Sequence, residues 1–347
     1  MYFIDNLHEF SLTVSCSIKD ALKIIDKNAE GFCLVFENED FLYLLTDGDL
    51  RRHLIAGGDL TDGVKLLQKD TQTVDLSINY EELKLHFRTH TIDHLPVISE
   101  SGIKFVAVNK NQKHYISAIV MAGGLGSRLG NLTKNTPKPL LKIGGQRLID
   151  YALNILTKSN IYDIDVTINH MKEVFIKYFQ NHRLIKKKNL LLEEKKLGTA
   201  GGIKLSKMDA KFRCVINADL ITDVDINEGI FNLYKSDSDF LIYTREISQK
   251  LPFGEIIKKG MFAESVVEKP ERNHEIAAGI YVYKSELEQF IPNGRFFDMP
   301  DFINLIIAHK KKVLTERIQG YWIDVGVKSN FDEAVSDMRK NEKKSGD

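Results

Sequence analysis

The sequence predicts an α/β protein in two unlike parts, a repeated domain over residues 1–112 and a larger domain over residues 113–347. Strand-like apolar runs alternate with helical stretches from residue 115 onward. Such alternation is typical of a Rossmann-like, mostly parallel sheet covered by helices on both faces. A glycine-rich turn follows the first of these strands, at residues 122–130, and short helices and strands nearly repeat within residues 1–112.

The elements of the larger domain follow from the spacing of its apolar residues. Residues 146–159 place apolar side chains on one broad helical face, and residues 173–179 form a second helix. The predicted strands are residues 115–121, 163–168, 189–192, 213–216, 239–243, 263–267 and 279–283. We expect the polar residues 339–347 to be a frayed tail. Ligands of such sheets bind beyond the carboxyl ends of the strands, so the loops there are the expected site.

The first domain repeats a helix and two strands at an interval of roughly 60 residues, which predicts two units packed about a pseudo-twofold axis. These elements are residues 18–25, 31–36 and 41–45 in the first half, and residues 79–87, 94–98 and 103–108 in the second. The polar run at residues 109–114 is the predicted linker.

Composition excludes several function classes. The 347 residues include 28% charged residues that balance to a net charge of zero, so we expect no nucleic-acid partner. No run of 18 apolar residues is present, so we expect no membrane span. The first ten residues lack the basic and apolar regions of a secretory signal, and the three cysteines, Cys16, Cys33 and Cys214, are widely spaced. These features predict a cytoplasmic protein with free thiols.

The glycine-rich turn carries the strongest functional signal. Its glycines let the backbone approach a ligand and direct N–H groups towards it. Arg128 adds a bidentate fork and Lys138 a compact positive charge, which together suit a phosphate chain. A P-loop would require Gly-Lys-Ser/Thr, which is absent, and the dinucleotide fingerprint would require glycine where this chain has Leu129.

Gly123-Gly-Leu-Gly-Ser-Arg128, followed by Pro137-Lys138-Pro139, resembles the signature of the sugar-phosphate nucleotidyltransferases. The resemblance spans roughly residues 116–335 and implies a GT-A-like nucleotidyltransferase fold, with a nucleoside triphosphate and a sugar 1-phosphate as substrates. It implies the catalytic residues Arg128, Lys138, Asp219 and Lys269. It also implies the nucleotide-binding residues Ala122, Gly123, Gly124, Gly126, Ser127, Arg128, Gly198 and Thr199.

Two aspartates are candidate metal ligands. Asp219 follows an apolar strand, and Asp324 interrupts another. Both match the magnesium-binding pair of the resembled family, which implies Mg²⁺ as cofactor. Asp223 and Asp225 are close enough to compete for this role, but they fit a turn and a helix start better.

The sugar phosphate has its own predicted residues. By the same resemblance, Lys269 of the Glu268-Lys-Pro segment holds the phosphate and Glu268 meets the sugar hydroxyls. Gly279 leaves room for a hexose ring, and Asn169 ends the second strand within reach of a sugar or base hydroxyl. The predicted sugar-phosphate residues are Lys138, Asn169, Glu268, Lys269 and Gly279.

The repeated domain resembles a tandem CBS pair. Thr46-Asp-Gly-Asp49 matches the end of a CBS motif, and Asp49 holds the position that often contacts a ligand ribose. The second half lacks this element, so the resemblance implies at most one adenine nucleotide site, at Thr46 and Asp49. A domain that only forms a homo-oligomer, such as a dimer, or braces its neighbour is an equal alternative.

The combination of the two domains resembles the bacterial PtmE-type glucosamine-1-phosphate guanylyltransferases of legionaminic acid synthesis, which implies GTP and glucosamine 1-phosphate. Mannose 1-phosphate with GTP, or glucose 1-phosphate with dTTP or UTP, remains open. So do two other classes: a nucleotide-sensing regulator with a non-catalytic scaffold, and a glycosyltransferase using Asp223-Val-Asp225. Pyrophosphate release would distinguish these classes.

Overall fold

A computed structural model describes residues 1–110 and 115–344, without the side chains of residues 187 and 341–344. The chain divides into two compact units, Met1–Gln112 and Lys113–Asp347. Most of the predicted linker, residues 111–114, lies outside the described residues. None of the helices in the described residues has the length and apolar character needed to cross a lipid bilayer.

The N-terminal unit consists of two small sheets and three helices within residues 1–110. Its elements are β1 Tyr2–Ile4, β2 Ser11–Thr13, α1 Ile18–Asn28, β3 Phe32–Glu37, β4 Asp40–Thr46, α2 Asp47–Ile55, β5 Val74–Asp75, α3 Tyr80–His90, β6 His94–Ser99 and β7 Gly102–Val108. One sheet has the order β2-β3-β4 and the other β1-β7-β6-β5. In each sheet a short strand runs parallel to the first strand of an antiparallel hairpin.

The repeat predicted from the sequence is present in this unit. The elements α3, β6 and β7 begin 62 residues after α1, β3 and β4, at positions 80, 94 and 102 against 18, 32 and 40. The helix starts repeat as well, because Ser17 and Asp20 form a capping box on α1 and Asn79 and Glu82 form one on α3. Reciprocal capping satisfies backbone N–H groups that the first helical turn leaves unpaired. The two halves therefore fold from the same local signals.

The C-terminal unit contains the larger sheet. Its elements are β8 Ile116–Met121, β9 Lys142–Ile143, β10 Gln146–Arg147, α4 Leu148–Lys158, β11 Ile164–Ile168, α5 Lys172–Phe179, β12 Leu190–Leu192, α6 Gly198–Gly201, β13 Phe212–Asn217, β14 Leu220–Thr222, α7 Ile226–Ser236, β15 Phe240–Lys250, β16 Glu255–Lys259, β17 Phe262–Val267, β18 Glu271–Lys284, α8 Met299–Ala308, β19 Val313–Arg317, β20 Trp322–Asp324 and α9 Lys328–Lys344. The helix α9 corrects the expected frayed tail as far as Lys344, and residues 345–347 of that prediction lie outside the described residues.

The large sheet has the order β12-β11-β8-β13-β18-β15-β19. All strands run in one direction except β18, which is antiparallel to both β13 and β15. The sheet is therefore mixed, although mostly parallel as predicted. The alternation of strands and helices thus predicted the α/β class, but the direction of β18 had no signal in its apolar pattern. A buried cluster that includes Ile119, Val215, Phe240 and Phe302 packs one face of the sheet against α8.

This topology positions the loops. Since β11, β8 and β13 are adjacent and parallel, their carboxyl ends meet at one edge of the sheet. Asn169 follows β11, the glycine-rich turn follows β8, and Asp219 follows β13. A second feature is a ribbon, residues 245–276, in which the distal halves of β15 and β18 continue as a ladder up to Lys250 and Glu271. The hairpin β16–β17 extends it, and Phe253, Met261 and Phe262 on it are exposed.

Candidate functional site

The glycine loop, defined as residues 122–128, leaves β8 and turns sharply before a 3-10 helix at Ser127–Thr133. Ala122 is buried, and its N–H donates to the carbonyl of Thr167 on the neighbouring strand at 3.0 Å. Gly126 has φ +65°, and a Cβ there would lie 2.8 Å from the Cβ of Lys138. Only glycine allows this approach without displacing the lysine. The loop thus brings the segment around Lys138 against the first strand.

Lys138 is buried, with 7% of its surface exposed, at the start of a 3-10 helix that ends at Leu140. Its Nζ forms an ion pair with Asp219 and lies 3.9 Å from Oδ1 of Asp324. A buried lysine without anionic partners would be strongly disfavoured, and here two carboxylates flank the ammonium group. The structure therefore joins one predicted cation and both predicted metal ligands in one cluster.

The two carboxylates meet because their strands pair. The short strands β14 and β20 are antiparallel, with Leu220 opposite Asp324. The N–H of Val325 donates to the carbonyl of Asp219 at 3.0 Å. Main-chain hydrogen bonding therefore fixes the spacing of the two aspartates before any ion binds.

The environment of Asp324 is electrostatically unusual. Burial and the nearby carboxylate of Asp219 raise the pKa of Asp324, while Lys138 and Arg128 act in the opposite direction. Arg128 is exposed, and its side chain approaches Asp324 beside Gly326. A Cβ built on Gly326 would lie 3.8 Å from Nη2 of Arg128 and 3.1 Å from Oδ1 of Asp324. Arg128, Lys138, Asp219 and Asp324, the Lys138 cluster, thus share one small region.

One observation indicates that the Lys138 cluster suits a divalent ion. Oδ1 of Asp324 is buried and has no hydrogen-bond partner among the described residues. Mg²⁺ is commonly held by one or two carboxylates together with substrate phosphates, so a pair suffices. No group of three or more His, Cys, Asp or Glu side chains suited to a metal is present in residues 1–110 and 115–344. Asp219 and Asp324 are therefore the side chains that would hold Mg²⁺.

The competing aspartates have structural roles. Asp225 is the N-cap of α7, and its Oδ1 accepts from the N–H of Asn227 at 3.0 Å. The carboxylate of Asp223 packs against the main chain at Gly320, where a Cβ would come within 2.3 Å of it. The predicted helix start therefore occurs at Asp225, whereas Asp223 lies in the extended connection between β14 and α7.

A cavity of about 270 Å³ opens beside the glycine loop. Its lining residues are Met121, Gly123, Gly124, Glu193, Lys196, Gly198, Thr199, Asn217, Asp219 and Asp298. Two of the predicted nucleotide-binding segments, the glycine loop and the turn at Gly198, thus both line this cavity. Asp219 belongs both to this cavity and to the Lys138 cluster, so a ligand in the cavity would reach the cluster.

Glu193 is a cavity residue that the sequence analysis missed. It follows β12, and burial raises its pKa, while a 3.3 Å hydrogen bond from the N–H of Leu197 opposes that shift. A Cβ on Gly123 or Gly202 would lie 3.0 or 3.1 Å from its Oε1. The available signal was an acidic pair, Glu193-Glu194, placed between a strand and the second glycine turn. Such pairs are so common on surfaces that this one carried no weight.

The turn at Gly198 is held by a segment about 100 residues later in the chain. Oδ1 of Asp298 accepts hydrogen bonds from the N–H of Thr199 at 2.9 Å and from its hydroxyl at 3.2 Å. The N–H groups of Ala200 and Gly201 donate to the carbonyl of Phe297. Asp298, like Glu193, was not singled out by sequence reasoning.

Two predicted sugar contacts have other partners. The Nδ2 of Asn169 donates to the carbonyl of Glu193 at 3.3 Å and so ties the ends of β11 and β12 together. Gly279 has φ +78°, and a Cβ there would lie 2.6 Å from the Nδ2 of Asn217. The place of a Cβ on Gly279 is therefore taken by Asn217, a cavity residue, and the predicted contact of Gly279 with a hexose stays a prediction.

Glu268 and Lys269 lie at the turn between β17 and β18, on the ribbon. Their side chains are 73% and 57% exposed and approach each other only to 3.9 Å. Lys269 has φ +48°, an uncommon conformation for a lysine. Within the described residues neither side chain forms an ion pair with the Lys138 cluster. The structure thus brings Arg128, Lys138, Asp219 and Asp324 together, and leaves Glu268 and Lys269 apart from them.

The sequence pattern of the nucleotidyl transferase family matches residues 117–341. The chain belongs to the nucleotidyl transferase family. The matched residues include the glycine loop, the Lys138 cluster and the cavity, so the geometry described above lies entirely within the family's region.

Several curated proteins resemble this nucleotidyl transferase region. A mannose-1-phosphate guanyltransferase of Yarrowia lipolytica is 28% identical over 228 residues, covering 62% of this chain and 62% of that protein. A bifunctional protein GlmU of Methanocaldococcus jannaschii is 30% identical over 225 residues, covering 61% of this chain and 51% of that protein. The chain thus spans about half to three fifths of the length of these relatives.

Solved structures share the fold of this nucleotidyl transferase. The crystal structure of HddC from Yersinia pseudotuberculosis complexed with GMP-PN superimposes with a TM-score of 0.51 at 23% sequence identity. The likeness covers 64% of this chain and 99% of that chain. At this level of identity the likeness establishes the α/β fold alone.

Thr46 and Asp49 lie outside the family match, in the N-terminal unit. They form the capping box of α2, in which Oδ2 of Asp49 accepts from the N–H and hydroxyl of Thr46 at 2.8 and 2.7 Å. Burial opposes ionisation of Asp49, but hydrogen bonds from Lys69 and Thr46 outweigh it and lower its pKa to about 2. A helix cap therefore explains the spacing of Thr46 and Asp49 without a ligand.

Both residues also line a cavity of about 910 Å³. Its wall is mixed in charge, because Arg52, Lys69 and Lys110 line it together with four aspartates, and His94 comes from the second half of the repeat. The cavity thus lies between the two halves of the repeat.

Proposed function

We propose that this chain transfers a guanylyl group from GTP to a hexose 1-phosphate and releases pyrophosphate, with glucosamine 1-phosphate as the first acceptor to test. The observation that carries the proposal is the position of Lys138 between Asp219 and Asp324, beside Arg128. A cavity large enough to admit a nucleobase adjoins this cluster.

The chemistry requires positive charge and alignment. A phosphate oxygen of the sugar attacks the α-phosphorus of the triphosphate, a new P–O bond forms, and the bond to the β-phosphate oxygen breaks with release of pyrophosphate. Both reactants are anions, so the barrier comes largely from repulsion, and fixed cations lower it. Arg128 is exposed on the glycine loop, where a phosphate chain can be its partner, and Lys138 supplies a fixed ammonium group. Mg²⁺ held by Asp219 and Asp324 would add further positive charge at the phosphates.

The base preference rests on Glu193. Guanine presents two adjacent donors, N1–H and the exocyclic amino group, and a carboxylate accepts both. Uracil and thymine present a single N–H between two carbonyl groups. The oxygens of these carbonyls would be repelled by a carboxylate. Glu193 lies in the cavity wall with Oε1 directed towards Gly123 and Gly202. The guanyltransferase names of relatives and the GMP-PN bound to HddC support the same choice.

Acceptor identity rests on resemblance more than on contacts. The PtmE-type resemblance favours glucosamine 1-phosphate and the legionaminic acid route, whereas the named relatives favour mannose 1-phosphate. The side chains around Gly279 do not distinguish a 2-amino from a 2-hydroxy sugar. Both acceptors therefore belong in the first experiment.

That experiment measures pyrophosphate release from four nucleoside triphosphates, each paired with a panel of hexose 1-phosphates and Mg²⁺. We expect GTP with glucosamine 1-phosphate to be the fastest pair. Faster release with mannose 1-phosphate would make mannose 1-phosphate the acceptor instead of glucosamine 1-phosphate. Faster release with dTTP or UTP would overturn the assignment of guanine as the base. No release from any pair would favour a regulatory scaffold or a glycosyltransferase.

Glu193→Gln tests the base assignment directly. The amide keeps the size of the side chain but turns one acceptor into a donor, which would oppose a guanine donor. We expect kcat/KM for GTP to fall about tenfold or more while that for UTP falls less. The exposed neighbour Glu194 provides the matched control, and Glu194→Gln should leave both values unchanged. Equal losses for GTP and UTP would contradict the assignment.

For the N-terminal unit we propose an adenine nucleotide in the cavity beside Thr46 and Asp49, and a role in forming a homodimer. Arg52, Lys69 and Lys110 would contact its phosphates in exchange for their present ion pairs with Asp49 and Asp93. Titration with ATP, ADP and AMP by calorimetry tests this proposal, with Asp49→Asn as the variant. If none of the three nucleotides gives a heat of binding, capping of α2 is the whole role of Thr46 and Asp49.

A further inference from the structure

Segments 197–201 and 295–299 form one compact hydrogen-bonded unit, although about 100 residues separate them. The N–H of Phe297 donates to the carbonyl of Leu197 at 2.8 Å, and the carbonyl of Phe297 accepts from Ala200 and Gly201 at 3.0 and 2.9 Å. Two glycines permit this contact, since a Cβ on Gly198 would lie 2.6 Å from the carbonyl oxygen of Phe297, and one on Gly201 2.7 Å from that of Arg295. The turn thus has its shape because the later segment fills the space beneath it.

Asp298 and Thr199 complete this unit by capping each other. Oδ1 of Asp298 accepts from the N–H and hydroxyl of Thr199, and the hydroxyl oxygen of Thr199 accepts from the N–H of Met299 at 2.8 Å. Asp298 is also the N-cap residue of α8, whose first turn begins at Met299. Each side chain therefore satisfies backbone N–H groups at the start of the other's helical turn.

This arrangement limits what can contact a ligand. The N–H groups of Thr199, Ala200 and Gly201 and the hydroxyl of Thr199 are all used within the unit. The N–H that Thr199 was predicted to offer a base is thus used within the turn, and a backbone N–H contact to a base falls to Gly198. Both Thr199 and Asp298 line the cavity, so a shift of either moves its wall.

We propose that Asp298 is a positioning residue for the nucleotide: its carboxylate holds the turn at Gly198 as a fixed wall of the cavity. The inference rests on the proposed function, since the nucleotide is the ligand that this wall would meet. Asp298 acts through Thr199 and Gly198, and its removal leaves the Lys138 cluster intact.

The test compares variants of the full chain by GTP affinity, measured calorimetrically with Mg²⁺, and by steady-state kinetics. Asp298→Ala removes the acceptor of two hydrogen bonds, and we expect Kd and KM for GTP to rise about tenfold while kcat and KM for the sugar phosphate change less than about threefold. Asp298→Asn retains an acceptor oxygen and should restore most of the affinity. Asp301→Ala, an exposed acid in the same first turn of α8, is the matched control and should behave as wild type.

Thr199→Val supplies a second route to the same conclusion if Asp298→Ala folds poorly. The two effects should not add in the double variant, because both residues act through one unit. An unchanged GTP affinity in folded Asp298→Ala, or an Asp298→Asn variant as weak as alanine, would overturn the inference. If wild type binds GTP but releases no pyrophosphate with any acceptor, the proposed function fails, while the affinities still decide the role of Asp298.

Discussion

Asp219 and Asp324 are brought together by paired backbone, since the carbonyl of Asp219 accepts the N–H of the residue after Asp324 at 3.0 Å. The strands β14 and β20 that carry this contact are each three residues long. Neither would persist alone, so the spacing of the carboxylates depends on the packing beneath them. That packing includes Ile221, Ile323 and Val325, which share one buried cluster. The geometry of the charged cluster is therefore maintained by an apolar one.

Arg128→Ala should lower kcat about a hundredfold or more, because a fixed cation at the phosphates is lost. Its effect on the melting temperature should be small, since Arg128 is exposed. Pyrophosphate release and thermal unfolding measure the two quantities. Lys134→Ala, which removes another exposed cation from the same region, is the control. Full activity in the Arg128 variant would contradict the assignment of Arg128 as a contact of the triphosphate.

Asp219→Asn should reduce both turnover and the apparent affinity for Mg²⁺, because the amide is a weaker ligand for a hard cation than a carboxylate. A magnesium titration of turnover measures the kinetic effect, and Mn²⁺ binding followed by electron paramagnetic resonance measures affinity without turnover. Asp209→Asn, an exposed acid in the same unit, should change neither. If magnesium dependence is unaltered by Asp219→Asn and altered by Asp223→Asn, the metal site lies elsewhere.

His94 should make the N-terminal unit sensitive to acid. Burial and the positive charge of Lys110 together lower its pKa from 6.5 to about 4. The charge of Asp93 and the hydrogen bond to the carbonyl of Glu30 act in the opposite direction. Between these pH values the unfolded chain binds the proton and the folded chain does not, so stability falls as pH drops from 6.5 towards 4. The loss should be about 3 kcal/mol.

Chemical denaturation followed by circular dichroism at pH 7 and pH 4.5 measures most of this loss, about 2 kcal/mol. His94→Gln is neutral at both pH values and should show a weaker dependence than wild type. His8→Gln, at an exposed position, should behave as wild type. An equal pH dependence in all three proteins would mean that other groups govern acid unfolding.

Removal of residues 1–112 should leave measurable pyrophosphate release. The glycine loop, the Lys138 cluster and the cavity all lie in the unit Lys113–Asp347, and the seven-stranded sheet is built from that unit alone. Activity of the purified fragment and its mass in solution test the prediction together. A folded fragment with no activity would show that the N-terminal unit contributes to the site, whereas a smaller assembly would support its role in dimer formation.

Several parts of the molecule followed from local signals. The helix α4 buries Leu148, Ile149, Ala152, Leu153, Ile155 and Leu156, the residues that its 3.6-residue periodicity placed on one face. The strands β8, β11, β12 and β13 occur where short apolar runs predicted them. The glycine loop and its family signature identified the region of the site. They could do so because the glycines and the arginine lie close together in the sequence, where a motif is visible without the fold.

Other parts had no contiguous signal. Glu193 and Asp298 are ordinary acids in the sequence, and they differ from surface acids only because folding places them in the cavity wall. Thr46 and Asp49 carried a motif that a helix cap also explains. Glu268 and Lys269 carried a family motif, but they lie exposed on the ribbon and form no ion pair with the Lys138 cluster within the described residues.

The sequence by itself determined the α/β class, the repeat, the family and the residues that belong to its signature, because each depends on neighbours along the chain. The tertiary structure alone decided the reversed direction of β18, the burial of Lys138 between two distant aspartates, and the capping of Thr199 by Asp298. These depend on hydrogen bonds and desolvation between segments that are distant in the chain, 81 residues for Lys138 and Asp219 and 99 for Thr199 and Asp298, and such contacts exist only after the chain has packed.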